Sequence, residues 1–310
     1  MPHVNPTVDV VIPTYNRPLS AGRVASAVAL QLDKGDMLYV VWQGSRKPAI
    51  EASGSVHVVR SAPAGLPAAR NAGVRAGRGD IVLFLDDDVD VSAGLVAAHR
   101  GAYANPGVGA VAGSLDDPYF PSGESAIASY DEKTGRLLQN FCGKESGPTI
   151  SVMGANMSFR RAALQEIGLF DENFLHNALL EEVDAAFRIR AAGYIIWYCC
   201  EAHVRHLRED RGGCRSDTRP AYLYHQFANT AYFAARHAPR QYRQSWFTFW
   251  KYRLEYETRK RVLWMRHDPV LVAAGAFGAF AGVVRFLLWG RTKKKRFTTE
   301  TQRSQRREED

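Results

Sequence analysis

The sequence predicts an α/β fold, a mainly parallel and doubly wound sheet, followed by a C-terminal helical region. Three observations carry that prediction. Short apolar runs alternate with helix-period segments over the front two-thirds of the chain, the pattern of βα units in series. One of those runs, Ile81-Val82-Leu83-Phe84-Leu85, reads as a buried strand and ends in Asp86-Asp87-Asp88. After Gly212-Gly213 the strand pattern stops and only helical segments follow, so a boundary falls near 217.

Taken in order, Val8 to Pro13 is a buried strand closed by proline, with Thr14-Tyr15-Asn16-Arg17-Pro18 as the loop after it. Val24, Val28 and Leu32 recur at four-residue steps and predict a helix from Leu19 to Leu32. Met37 to Trp42 is the second strand, ending at Gln43-Gly44-Ser45, and Val56 to Val59 is a short third. Gly65 to Gly73 opens a helix that Gly77-Arg78-Gly79 closes, glycine being the usual helix stop. The acid-tipped strand follows, then a helix from Ala93 to Tyr103 and a strand from Val108 to Ala112.

Residues 114–148 are rich in Gly, Pro, Ser and Asp, a long excursion of the kind that carries binding work. Thr149 to Phe159 returns to β character, and Arg160 to Ile167 is a short helix. A helix from Leu180 to Ala192 stops at Gly193, and Tyr194 to Tyr198 is a strand of aromatic and β-branched residues. The later helices are 221–237, 242–265 and 269–289, and the polar tail over 296–310 is expected to be disordered. This divides the chain into an α/β domain over 1–217, a helical region over 218–295, and the tail.

The net charge of +8 suggests nucleic acid, but its distribution argues against that. Much of the excess lies late, in Arg259-Lys260-Arg261, Lys293-Lys294-Lys295-Arg296, Arg303, Arg306 and Arg307. A basic region beside an acid-rich front half fits an anionic surface. Cys142, Cys199, Cys200 and Cys214 form no CxxC pair, which argues against a zinc ribbon and for a reduced compartment. The N-terminus goes straight into a strand with no basic-then-apolar leader. No GxGxxG follows the first strand, which disfavours a nicotinamide-dependent oxidoreductase.

Alternation along a strand puts Asp86 and Asp88 on one side and Asp87 on the other. Two converging carboxylates repel, and a divalent cation bridging to phosphate oxygens relieves that repulsion. A solvated acidic turn stays open beside this reading.

Several stretches together resemble the inverting, nucleotide-sugar-dependent glycosyltransferases of family 2. They are Val10 to Arg17, Ala69 to Gly73, Phe84 to Asp88, Gly154 to Arg161, Gly168 to Glu172, and Glu181-Glu182-Val183-Asp184 with Arg188. The pieces occur in family order across residues 8 to 210. The resemblance implies a GT-A fold, a Rossmann-like mixed sheet, carrying a C-terminal helical extension. It implies Mg²⁺ or Mn²⁺ held by Asp86 and Asp88 with His206, and Glu182 as catalytic base with Glu181 as second choice. Pro13, Thr14, Tyr15, Arg17, Gln43, Arg70, Asp86 and Asp87 would hold the nucleotide-sugar donor. Asn156, Gly154, Ala155 and Asp184 would face sugar or acceptor. The family's acid after the second strand, usually placed against the base, is replaced here by Trp42-Gln43, and its Glu-Asp dipeptide by Glu181-Glu182.

Several of these residues also have a plainer reading: Glu182 can belong to an acidic first turn that only stabilises its helix, and His206 can be a packed or surface residue. Arg70 can be a salt bridge between helix and sheet, Asn156 a turn hydrogen bond, and Asp184 with Arg188 an i,i+4 pair that is structural or orients the base. His203, three before His206, points the other way on an extended segment.

Pro269 to Val284 is apolar, Arg285 interrupts it, and Phe286-Leu287-Leu288-Trp289 continues. Basic residues on both flanks disfavour a single crossing and favour a helix lying in the interface or a shallow re-entrant one, with a helix packed on the front domain as the plainer alternative and a true span as the third. The expected partners are a nucleotide-sugar, a saccharide or lipid-linked acceptor and an anionic membrane, with no nucleic acid. The expected place is cytoplasmic, peripheral on the inner membrane face. Two rivals stand: a sugar-phosphate nucleotidyltransferase, and a non-catalytic protein that keeps the fold.

Overall fold

The computed structural model describes residues 5–62, 64–117, 128–131, 136–176, 178–209, 212–213, 219–237 and 269–308. The chain forms two compact units. The first is Met1–Glu132 with Arg136–Asp217, the second Lys133–Gly135 with Thr218–Asp310.

The first unit follows the order β1 (Val8–Tyr15), α1 (Pro18–Ala29), β2 (Met37–Gln43), β3 (Val56–Arg60), α2 (Leu66–Ala76), β4 (Ile81–Leu85), β5 (Val89–Val91) and α3 (Leu95–Ala102). It continues through β6 (Val108–Asp116), β7 (Ala128–Asp131), β8 (Arg136–Gln139), β9 (Gly147–Thr149), β10 (Asn156–Arg160), α4 (Arg161–Glu166), α5 (Glu181–Ala191) and β11 (Ile195–His206). Among the described residues the main sheet runs β3-β2-β1-β4-β10-β6-β11-β5, with β9 beside β11. β7 and β8 form a separate hairpin.

The sheet is mixed, as the GT-A expectation had it, rather than mainly parallel. β3, β2, β1 and β4 are parallel, and β10 runs against both β4 and β6. The reversal has a topological cause. A parallel neighbour needs a crossover to the far end of the sheet, usually a helix. The chain leaves β6 and regains β10 with no helix among the described residues, so it re-enters from the edge it left.

Every residue of β4 is fully buried, which explains its unbroken apolar run. β1 pairs with β2 on one side and β4 on the other, and the strand order switches between β1 and β4. Ligands in open α/β sheets gather outside the carboxyl ends of strands at such a switch. β11 departs from regularity where Cys199 pairs Gly113 but His203 pairs Ser114. Four residues of β11 therefore match one of β6, a bulge that re-aims the rest of the strand.

The second unit contains α6 (Arg219–His237) and α7 (Pro269–Glu308). A Cβ at Gly278 would lie 2.2 Å from the Tyr224 carbonyl oxygen, and one at Gly282 2.2 Å from that of Ala228. Glycine at both positions lets the two helices approach backbone to backbone. The opposite side of α7 exposes Val270, Phe277, Phe280, Leu287 and Leu288. α7 continues through 296–308, where the sequence predicts disorder. Arg, Gln and Glu there are good helix formers, so local propensity and solvation do not conflict. The predicted helix over 242–265, Cys214 and the basic residues at 259–261 lie outside the described residues.

Candidate active site

β4 delivers Asp86 to the end of the sheet, where its N–H donates to Ala155 O at 3.3 Å. The next residues turn into β5. Asp87 and Asp88 are buried, and Asp86 keeps 29% of its side-chain surface exposed. Ligand atoms of Asp86, Asp88 and His206 all lie within 4.8 Å of one another. That is close to the span of about 4 Å between opposite ligands of an octahedral ion. Two carboxylates and an imidazole are a fitting donor set for Mn²⁺, and the two carboxylates alone offer the oxygens that the harder Mg²⁺ prefers.

Asp87 is held from the end of β1 and the start of α1. Thr14 Oγ1 donates to it at 2.6 Å and Arg17 Nη1 at 3.0 Å. Burial raises the Asp87 pKa to about 7, opposed by these two partners and reinforced by the Asp88 charge. Arg17 also donates to Asp88 Oδ2 at 2.9 Å and to Glu209 O at 2.7 Å. Burial weakens the Arg17 cation, but Asp87 and Asp88 outweigh it and raise its pKa.

The bulge in β11 brings His206 to this cluster. His206 Nε2 lies 3.1 Å from Asp88 Oδ1, and Nδ1 lies 2.8 Å from Asp117 Oδ2. Burial lowers the His206 pKa, but the bonds to Asp117 and Asp88 and the nearby Asp86 charge prevail and carry it to about 9. Leu207 N–H donates to Asp88 O at 2.8 Å, and Glu209 N–H to Asp88 Oδ2 at 3.2 Å. Glu209 is itself held by Ser20 and Arg23 on α1.

A second cluster joins the acids to α5. Arg70 is 1% exposed. Its guanidinium donates to Gly154 O at 3.0 Å, lies 3.6 Å from Asp86 and pairs with the buried Glu181. It also lies over the Phe170 ring, 5.6 Å from its centroid. Glu182, half-buried, has its pKa raised by burial, with Arg70 opposing and Asp86 adding to the rise. The two glutamates therefore differ in environment: Glu181 is an ion-pair partner, and Glu182 is a desolvated carboxyl within the field of Asp86. Both are in the first turn of α5, where the helix dipole favours negative charge. The approach to that turn is strained, with His176, Ala178 and Leu180 all at positive φ without being glycine.

Not every predicted site residue faces this region. Asn156 is fully buried and points into the sheet, where its Nδ2 donates to Ser114 O at 3.0 Å and Ala202 O at 2.8 Å. Its Oδ1 lies 2.8 Å from His99 Nε2. These inward bonds hold it away from the expected sugar contact, because a buried amide must satisfy its donors and acceptor locally. Asp184 is likewise fully buried and pairs with Arg188 Nε at 2.8 Å, while Arg188 Nη1 donates to Ile167 O and Leu169 O at 2.7 Å. The pair anchors α5 to the turn after α4, the plainer of its two readings.

Gln43 donates to Ser61 Oγ and Gly65 O at 3.2 Å, and Gly65 N–H donates back to it at 3.1 Å. It braces the start of α2. Pro13 is buried in β1, two residues past the last β1–β4 pair, and Tyr15 is half-buried at the strand end. Gly154 and Ala155 support the site through their carbonyls, to Arg70 and Asp86. His203 meets Ser114 Oγ at 3.2 Å and stands outside the carboxylate cluster.

Asp117, Arg208 and Glu209 are in the cluster although no motif marks them. Asp117 falls in the stretch the sequence presents only as a polar excursion, and its one local signal is adjacency to the end of β6.

Comparison with known proteins adds the following. The family profile for Glycosyl transferase family 2 matches residues 9–168, just over half of the chain. The pre-mycofactocin glycosyltransferase of Mycobacterium tuberculosis is 30% identical over 211 residues, which cover 64% of this chain and 42% of that protein. The O-antigen chain rhamnosyltransferase RfbN of Salmonella typhimurium is 25% identical over 210 residues, covering 64% of this chain and 66% of that one. The chain thus spans less than two-thirds of either relative. Among solved structures, the mannosyltransferase PcManGT of Pyrobaculum calidifontis, in complex with GDP-Man and Mn²⁺, superposes with a TM-score of 0.54 at 16% identity, covering 92% of this chain and 88% of that one. GalNAc-T7 with UDP, GalNAc and Mn²⁺ gives 0.58 at 16% identity, over 86% and 59%. At such identities the likeness is one of fold.

Proposed function

The chain belongs to glycosyl transferase family 2, and on that premise we propose that it moves a sugar, with inversion, from a nucleotide-diphosphate donor to a saccharide or lipid-linked acceptor. One observation carries the reading. Arg70 links Asp86 of the carboxylate cluster to the first turn of α5, so that the cation-binding acids and Glu182 share one end of the sheet.

Asp86, Asp88 and His206 would hold Mg²⁺ or Mn²⁺, which when bound supplies Lewis-acid neutralisation of the departing diphosphate. The solved neighbours carry UDP or GDP-mannose with Mn²⁺, which supports this choice of donor class. Thr14 and Arg17, at the β1–β4 switch, fix the position of Asp87 and Asp88 beneath the donor. Glu182 takes the proton of the acceptor hydroxyl as that oxygen attacks the anomeric carbon. A carboxylate in water is a weak base at neutral pH, and partial burial raises Glu182 toward the useful range. Glu181, ion-paired with Arg70, keeps that cation oriented toward Asp86.

We place the enzyme at an anionic membrane surface on the cytoplasmic side. Pro269–Leu288 is long and apolar enough to cross a membrane. Its exposed Phe277, Phe280 and Leu287, followed by Lys293 to Arg296 in sequence, support a helix lying in the interface.

The test is nucleoside diphosphate release in the presence of Mn²⁺, with the anomeric configuration of the product read by NMR. Glu182→Gln should lower kcat by about 10²–10⁴-fold, the range for a lost general base, while leaving the fold intact. Release of pyrophosphate would favour nucleotidyl transfer, and turnover unchanged in Glu182→Gln would remove the proposed base.

A further inference from the structure

We propose that Asp117 is the positioning residue of His206. It accepts the Nδ1–H and so leaves Nε2 as the nitrogen offered to the cation. This rests on the reading that Asp86, Asp88 and His206 form the cation site.

The carboxyl of Asp117 has no exposed surface. Its Oδ2 lies 2.8 Å from His206 Nδ1 and accepts from Arg208 Nε at 2.8 Å and from Arg208 Nη2. A guanidinium so placed stabilises the ionised carboxylate. An ionised carboxylate only accepts, so the nitrogen that faces it must carry the hydrogen. The two ring nitrogens look in different directions, and the other one faces Asp88 Oδ1 at 3.1 Å. Among histidine ligands, a carboxylate on the far nitrogen fixes ring orientation and tautomer and raises ligand basicity.

The fold builds this contact from two adjacent strand ends. β6 and β11 run parallel, with Arg205 opposite Asp116. The residue that follows each of these is Asp117, just past the end of β6, and His206, the last of β11, and the β11 bulge sets that register. Arg208, at φ +57°, adopts the left-handed conformation two residues past the strand. That turn folds its guanidinium back onto Asp117. Strain in a non-glycine residue persists where surrounding contacts hold it, and here the contact is the Arg208–Asp117 ion pair.

The experiment has two arms. In the full-length protein, selective ¹⁵N labelling of histidine and long-range ¹H–¹⁵N correlation report which His206 nitrogen is protonated, without and with saturating Mg²⁺. The expected result is a protonated Nδ1 in both conditions and a shift of Nε2 on Mg²⁺ addition. A deprotonated Nδ1 in the Mg²⁺-loaded wild type would overturn the proposal, with no variant required. In the second arm, Mn²⁺ affinity is titrated by EPR of the free ion for Asp117→Ala, Asp117→Leu and His206→Ala.

Loss of the acceptor should weaken Mn²⁺ binding about 10–100-fold, the range for supporting contacts of metal ligands. Asp117→Asn retains an oxygen acceptor and should recover part of the loss. A folded Asp117→Leu that binds Mn²⁺ like wild type, while His206→Ala does not, overturns the role of Asp117 alone. His206→Ala binding Mn²⁺ like wild type overturns both this proposal and the reading of the cation site.

Discussion

Asn156→Ala separates a residue that touches sugar from one that holds the sheet together. Its side chain closes a directional chain of buried hydrogen bonds. The Nδ2 donates to Ser114 O and Ala202 O, which leaves Oδ1 to accept from His99 Nε2. His99 Nδ1 must then accept from Ser158 Oγ at 2.8 Å, and Ser158 Oγ from Tyr103 OH at 2.9 Å. Truncation leaves three buried groups without their partner: two carbonyls and one imidazole N–H. At about 1–1.5 kcal/mol each, toward the low end for an orphaned buried polar group, the loss is about 4 kcal/mol. For a catalytic unit of this size 1 kcal/mol shifts Tm by about 2–4 °C, so Tm should fall by about 10 °C. Thermal and urea denaturation measure this directly. KM for donor and acceptor, taken well below the transition, should stay within a few-fold of wild type. A variant that keeps its Tm but loses a hundredfold in kcat/KM would refute the reasoning and return Asn156 to the substrate.

Two further outcomes follow from the same region and its neighbour. Burial holds the His99 pKa down at about 4 against an ordinary 6.5, so the unfolded chain takes up this proton first as pH falls. The stability it contributes is therefore complete above pH 6.5 and is lost between 6.5 and 4, a change of about 3 kcal/mol. Urea midpoints of wild type should fall across that window more steeply than those of His99→Gln, and parallel curves would contradict the assignment. Gly154→Ala would place a Cβ 2.8 Å from Arg70 Nη2, and the guanidinium is packed too tightly to yield freely. It should cost about 1–3 kcal/mol as an overpacked core position and weaken Mn²⁺ binding through Asp86, measured by Tm and metal titration. Wild-type values for both would show that Arg70 can move without consequence.

Much of the site was legible because its signals are local. A run of five apolar residues ending in three acids states both that β4 is buried and that carboxylates emerge at its tip. Strand alternation separates Asp87 from Asp86 and Asp88, but the acids have left the strand, and in the structure Asp87 and Asp88 meet on one Arg17 nitrogen. Glycine-closed helices and aromatic strands marked α2, α5 and β11 to within a few residues, except that β11 runs on to His206. What the pattern missed was short or non-local: the three-residue β5, the β7–β8 hairpin and the direction of β10.

The amino-acid order by itself determined the α/β class, the acids at a strand end, two adjacent glutamates opening a helix, and an apolar helix followed by basic residues. These depend on periods of two and 3.6 residues and on end signals, which act over a few neighbours. Only tertiary structure decided which glutamate pairs with Arg70, since successive helical residues point about 100° apart and the rotation of α5 is set by the Asp184–Arg188 anchor. It likewise turned Asn156 inward and brought Asp117 to His206, 89 residues apart in sequence. Both results come from strand pairing and a bulge whose register depends on contacts across the sheet, information that no local window of the chain contains.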